Sequence, residues 1–118
     1  MQIQVKRVYE SADHDDGVRI LVDRLWPRGI AKAALADVPW LKDIAPSNAL
    51  RAWFGHEPAK WTEFRRRYFA ELDANPEAVN ALRALLEPKR RATLLFAAHD
   101  EAHNNAVALR EYLLRGPR

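Results

Sequence analysis

The sequence predicts an α/β fold: a single-domain sandwich with a small, mainly parallel sheet flanked by helices. Three observations predict it. Apolar runs of strand length, rich in β-branched residues, fall at 3–8, 18–22 and 92–97. Between the second and third runs lie stretches whose apolar residues recur at helical spacing. Polar and charged residues gather where the runs end, the place where open α/β sheets bind ligands.

At 118 residues the chain is expected to be one domain over 1–118, able to bury roughly two thirds of its unfolded surface. It has no cysteine, which excludes disulfides, thiolate metal sites and thiol catalysis. No apolar run reaches membrane-span length and no signal peptide is recognisable, so a cytoplasmic protein without membrane contact is expected. The net charge of +3 and pI near 9.5 admit nucleic acid as a partner. Acidic residues are nevertheless spread through the chain, and no long block of one sign occurs.

In the first run Ile3, Val5 and Val8 alternate with Gln4, Lys6 and Arg7, and Tyr9 follows at the exit. Residues 10–16 are polar and acidic and read as a solvated loop, His14 included. That loop is short for a parallel crossover, so the relative direction of the first two strands stays open. The second run, 18–22, follows Gly17 and reads as buried on both faces.

After Gly29, residues 30–38 carry Ile30, Ala34, Leu35 and Val38 on one side and predict a short helix ended by Pro39. Asp37, Trp40, Leu41 and Ile44 predict one further turn. A small helix then has Ser47 as N-cap, Leu50, Trp53 and Phe54 as its buried face, and Gly55 as a left-handed cap. The longest helical pattern begins at Pro58 and buries Trp61, Phe64, Tyr68, Phe69 and Leu72. Arg65, Arg66 and Arg67 fall on its outer face, with Glu63 and Glu71 four residues either side of Arg67. Val79, Leu82, Leu85 and Leu86 mark another helix, ending at Pro88. Lys89, Arg90 and Arg91 lead into the third strand, and a last helix, capped by Asp100 with Glu101 at its positive end, buries Ala102, Ala106, Leu109 and Leu113.

The site is expected where the second strand ends. Asp23, Arg24 and Arg28 arrive there together, stiffened by Trp26 and Pro27. A carboxylate among guanidinium groups stays ionised and can hold a substrate or a water. The competing reading is that Asp23 pairs with Arg24, Arg28 or Arg51 only to satisfy buried charge. Trp26, Trp53 and Trp61 are either an aromatic wall or core. No Walker or dinucleotide fingerprint occurs. His99, Asp100 and His103, with Asp23, carry donor atoms but match no ligand motif; no metal is expected, and no cofactor is named.

Taken together, 23–29 (Asp-Arg-Leu-Trp-Pro-Arg-Gly), Ala45-Pro46-Ser47 with Leu50-Arg51 and Trp53-Phe54, Trp61 with Phe64 and Tyr68, and Leu94-Leu95-Phe96 with Asp100, His103 and Asn104 resemble the YeaO-like family. These are small bacterial proteins of unknown function, and the resemblance runs from Val5 to Leu113. It implies an α/β sandwich with a mainly parallel sheet. Wider relatives carry an Asp-x-Arg pattern after the second strand and a polar His-bearing segment after the last, in the positions of Asp23 and His103. His99 departs from the pattern, standing where these proteins usually have Lys.

The resulting expectation is a domain that binds or processes an anionic, phosphorylated or nucleotide-like small molecule. Asp23 and His103 are its candidate catalytic residues; Arg24, Trp26, Arg28, Arg51, Asp100 and Asn104 its candidate binding residues. The alternative is a nucleic-acid- or protein-binding module using the outer basic surface of Arg65 to Arg67 and Lys89 to Arg91.

Overall fold

All three runs are strands in the computed structural model, which describes residues 2–87 and 91–115. β1 (Gln2–Arg7), β2 (Val18–Leu21) and β3 (Arg91–Phe96) form one sheet in the order β1-β3-β2. Both outer strands run parallel to the middle one. The direction left open by sequence is therefore parallel, but β1 and β2 do not pair: Ala92 lies between Ile3 and Val18, and Leu95 between Lys6 and Leu21. The connection from β1 to β2 is short because it needs no helix. A 3-10 turn, His14–Asp16, closed by a reciprocal cap between Asp13 and Asp16, brings the chain back to the amino edge.

One sheet face carries Ile20, Val22, Ala92, Leu94 and Phe96 into a core shared with four helices. These are α1 (Asn48–Phe54), α2 (Trp61–Asp73), α3 (Pro76–Leu86) and α4 (Asn105–Leu114). The apolar positions read at helical spacing supply that core: Leu50 and Phe54, then Phe64, Tyr68 and Leu72, then Val79, Leu82 and Leu86, then Ala106, Leu109 and Leu113. Tyr68 is fully buried and donates its hydroxyl to the Ile44 carbonyl at 2.6 Å, joining α2 to the chain before α1. Tyr68→Phe leaves that carbonyl without its partner and should cost about 1–2 kcal/mol in urea denaturation.

The other face carries no α-helix among the described residues. Val8, Leu21 and Leu95 pack there against Leu35, with Trp26, Ile30 and Val38 partly buried around them. The helix expected over 30–38 is only a 3-10 turn, Lys32–Leu35. Ala31 provides no side-chain cap, and Pro39 leaves too few residues to repay helix nucleation. The further turn expected from Asp37, Trp40, Leu41 and Ile44 is present as a 3-10 turn, Lys42–Ile44, closed by Ala45, while Trp40 itself bridges Leu21 in the parallel sense.

The amino half of this second face is polar. Asp16, expected in a solvated loop, is 1% exposed. It accepts hydrogen bonds from Lys6 Nζ (2.8 Å), the Asp13 backbone N–H (3.0 Å) and Gln4 Nε2 (3.4 Å), while Arg19 Nε stands 3.4 Å away. The buried Thr93 hydroxyl donates to the Asp16 carbonyl at 2.7 Å and accepts from Gln4 at 2.9 Å.

The caps of α1 are as expected: Ser47 accepts from the Leu50 N–H, and Gly55 adopts φ 54°. The cap of α4 is not. Asn104, not Asp100, accepts from the Val107 N–H and starts the helix at Asn105, leaving Glu101 and the exposed Ala102 in the preceding turn. Pro88, Lys89, Arg90, Gly116 and Pro117 lie outside the described residues. Among the described residues no helix is long and apolar enough to cross a membrane.

Candidate functional site

β2 stays paired one residue past Leu21, through the Val22 N–H donating to the Leu95 carbonyl at 3.2 Å, and delivers Asp23 to the carboxyl edge of the sheet. One Asp23 oxygen accepts from the Ala97 N–H at 2.9 Å, the other from Asn105 Nδ2 at 3.1 Å. The same Asn105 amide donates to the Val22 carbonyl at 3.0 Å. A single carboxylate thus ties the ends of β2 and β3 to the first turn of α4. Burial raises the Asp23 pKa above the ordinary carboxylate value; the bonds from Asn105 and Ala97 and the nearby Arg51 charge offset part of that rise.

The sign of the consequence follows from linkage. A carboxyl group whose folded pKa is raised contributes stability below its unfolded pKa and loses it as pH rises through the folded value. Asp23→Asn removes that dependence. The stability advantage of the wild type over the variant should therefore shrink as pH rises from the acid range, which chemical denaturation at a series of pH values will measure.

The arginines expected beside Asp23 separate. Arg24 turns its guanidinium to the carbonyls of Ala45 (3.0 Å) and Pro46 (3.2 Å), bracing the chain ahead of α1. The Arg28 side chain is exposed, and its carbonyl accepts from the Tyr9 hydroxyl at 2.8 Å. Among the described residues no ion pair joins Asp23 to an arginine, so the carboxylate is held by neutral donors. Arg51, on α1, is exposed; its guanidinium bonds the neutral Asn48 side chain at 3.0 Å, and its charge reaches Asp23.

From the other side comes the turn that precedes α4. Asp100 accepts from the backbone N–H groups of Ala102 (2.9 Å) and His103 (3.0 Å) and meets His103 Nδ1 at 3.0 Å. The bond from Ala102, then that from the His103 ring, holds the Asp100 carboxyl below its usual pKa. The half-buried His103 ring stands edge-on to Trp61 at 5.3 Å and keeps its second nitrogen, Nε2, out of the bond to Asp100. Asn104 is 3% exposed and used at both ends, as helix cap and as donor to the Asp100 carbonyl at 2.9 Å.

The tryptophans do not form one wall. Trp26 lies on the helix-free face, edge-on to Trp40 at 5.3 Å, and donates to the Ile30 carbonyl at 2.7 Å. Trp53 and Trp61 pack on the helical side. Two residues escaped the sequence reading, Asn105 at the site and His56 after α1. Asn105, the residue after the Asn104 cap, sends its amide to Asp23 and to the Val22 carbonyl, and no motif in the sequence marks it. His56 follows Gly55 at φ 58°, a left-handed conformation for a non-glycine residue, with its ring 6.3 Å from Phe54.

The outer basic face is balanced by acids. Arg65 bonds both Glu111 oxygens at 2.9 Å, and Arg66 and Arg67 both bond Glu63, which they hold down to about 2 in pKa. Glu71, expected to pair with Arg67, instead accepts from the backbone and hydroxyl of Ser47. Arg91 meets Asp15 at 3.1 Å.

The profile of a family described as "Inactive DUF488-N3 subclade" matches residues 2–116. The chain belongs to that subclade. The uncharacterized protein YeaO of Escherichia coli (strain K12) is 46% identical over 113 residues, 96% of this chain and 97% of its own. Mycobacterium bovis and Mycobacterium tuberculosis (strain H37Rv) contain the uncharacterized proteins Mb3100c and Rv3073c, each 41% identical over 112 residues, 95% of this chain and 93% of theirs. The YeaO-like resemblance read from the motifs is thus borne out over the length of the subclade match, and these relatives carry no named activity. No solved structure matches the chain.

Proposed function

We propose that this subclade member is a non-catalytic binding domain that holds a small anion at the carboxyl edge of its sheet, between the Arg51 guanidinium and the second ring nitrogen of His103. The supporting observation is the state of Arg51. It stands exposed near a carboxylate already bonded to Ala97 and Asn105, and its own hydrogen-bond partner is a neutral amide. A guanidinium placed so keeps its charge and its paired donors for an incoming carboxylate or phosphate. In this reading Asp23 is a positioning group rather than a base, because each of its oxygens already accepts a bond from a fixed donor. The family's description as inactive favours binding over turnover. The paired Arg65, Arg66 and Arg67 weigh against the nucleic-acid alternative.

The test is a thermal-shift and calorimetric screen of orthophosphate, simple phosphate esters, nucleotides and dicarboxylates against the wild type, Arg51→Ala, Arg51→Lys and His103→Ala. A ligand at about a hundred times its Kd should raise the wild-type melting temperature by several degrees. Arg51→Ala should lose the shift and Arg51→Lys should keep part of it. A panel without a shift, or a shift that survives both alanine variants, defeats the reading.

A further inference from the structure

The segment 23–29 that follows β2 is held by three aromatic donors, each bonding a backbone carbonyl. Trp40 Nε1 donates to Asp23 at 2.7 Å, Tyr9 Oη to Arg28 at 2.8 Å, and Trp26 Nε1 to Ile30 at 2.7 Å. Pro27 is buried at its centre, and Gly29 turns the chain away at φ 81°. A loop pinned at both ends and in the middle has little freedom left to lose, so whatever it displays is presented preorganised. What it displays is Leu25, 62% exposed, and the Arg28 side chain, which has no partner among the described residues.

The surroundings repeat that chemistry. Four large hydrophobic residues stand exposed among the described residues: Tyr9, Leu25, Trp40 and Leu114. The first three belong to this loop or pin it. Cations accompany them, with Lys42 Nζ 5.4 Å from the centre of the Trp40 ring and the Arg7 guanidinium 4.9 Å from that of Tyr9. Scattered exposed apolar residues need no explanation, but three gathered on one braced loop with unneutralised cations do.

We propose that the Leu25–Arg28 loop is a docking tip for a protein partner, which it recognises through an acidic segment bearing one bulky apolar side chain. The apolar group would cover Leu25 and the exposed edge of Trp40, and carboxylates would meet Arg28 and Lys42. Charge argues against a second copy of this chain. A two-fold contact through this tip would bring its cations face to face with their own images.

The test uses the full chain, immobilised, to select from a phage-displayed random-peptide library, followed by binding of the recovered peptides measured by fluorescence polarisation. Peptides combining Asp or Glu with a single Leu, Ile, Phe or Trp are expected. Their Kd should rise about tenfold or more for Leu25→Ser and for Arg28→Glu. Both side chains are exposed, so circular dichroism and melting temperature should match the wild type. Arg51→Ala, in the proposed anion site, should leave peptide binding unchanged, which keeps the two proposals separable. Selection without such a consensus, or peptides that bind Arg28→Glu as tightly as wild type, overturns the proposal. So does a concentration-dependent dimer in sedimentation that Leu25→Ser abolishes, since it assigns the tip to self-association.

Discussion

Asp16→Ala should destabilise the protein by about 3–5 kcal/mol, more than any change at the candidate anion site. The carboxylate is 1% exposed and is the shared counter-charge of Lys6 and Arg19. Removing it leaves two cations on a half-buried face with no acid between them. Arg19 has nothing in reserve, since its Nε is already buried without a hydrogen bond. Asp16→Asn keeps the shape and part of the hydrogen bonding and should cost less than the alanine variant. The pH dependence has the opposite sign to that of Asp23. Burial alone would raise the Asp16 pKa, but the bonds from Lys6 and Asp13 and the charges of Lys6 and Arg19 outweigh it and hold the group below its ordinary value. Its stabilisation is therefore present above the unfolded carboxylate pKa and is lost as pH falls through the folded one. Denaturation curves should show the wild type losing more stability on acidification than Asp16→Asn does.

Gly17→Ala should cost about 3 kcal/mol or more, by a different mechanism. Gly17 has φ 67° and ψ −142°, a conformation that only glycine adopts readily. A Cβ there would lie 2.1 Å from the Arg91 carbonyl oxygen and 2.5 Å from its carbon. Those atoms belong to the first residue of the central strand, which cannot yield without disturbing its pairing to Gln2. Gly29 is the control. Its φ of 81° is equally left-handed, but nothing lies within 4 Å of an added Cβ. Gly29→Ala should therefore cost only the backbone strain, about 1–2 kcal/mol. Melting curves of the two variants side by side separate collision from strain; equal losses would show that the close approach to Arg91 contributes nothing.

Much of the fold was legible because each signal was local. Ser47 and Gly55 bracket α1 through bonds within the helix itself, and Trp61, Phe64, Tyr68 and Leu72 declare their face by spacing alone. The relative direction of β1 and β2 was not legible, because it depends on β3 inserting between two strands read much earlier in the chain. Asp16 was hidden for the same reason. In an acidic loop it looks solvated, and only the crossing over Thr93 and Lys6 buries it. At the carboxyl edge, the sequence pointed to Asp23 but not to its partners. Arg24, next in the chain, bonds elsewhere and the Arg28 side chain stays exposed, whereas Asn105, distant in the chain, supplies the hydrogen bond. The segment 30–38 misled because alanines favour helices wherever there is room for one, and here there was not.

The middle strand of the sheet is the last to be made. While the chain emerges from a ribosome, β1 and β2 have no partner to pair with until residues 91–96 have left the tunnel, and the helices made in between have no sheet to settle on. Sheet formation must therefore wait until residues 91–96 are made, and until then the unpaired edges of two nascent strands stay open to chaperones, or to each other.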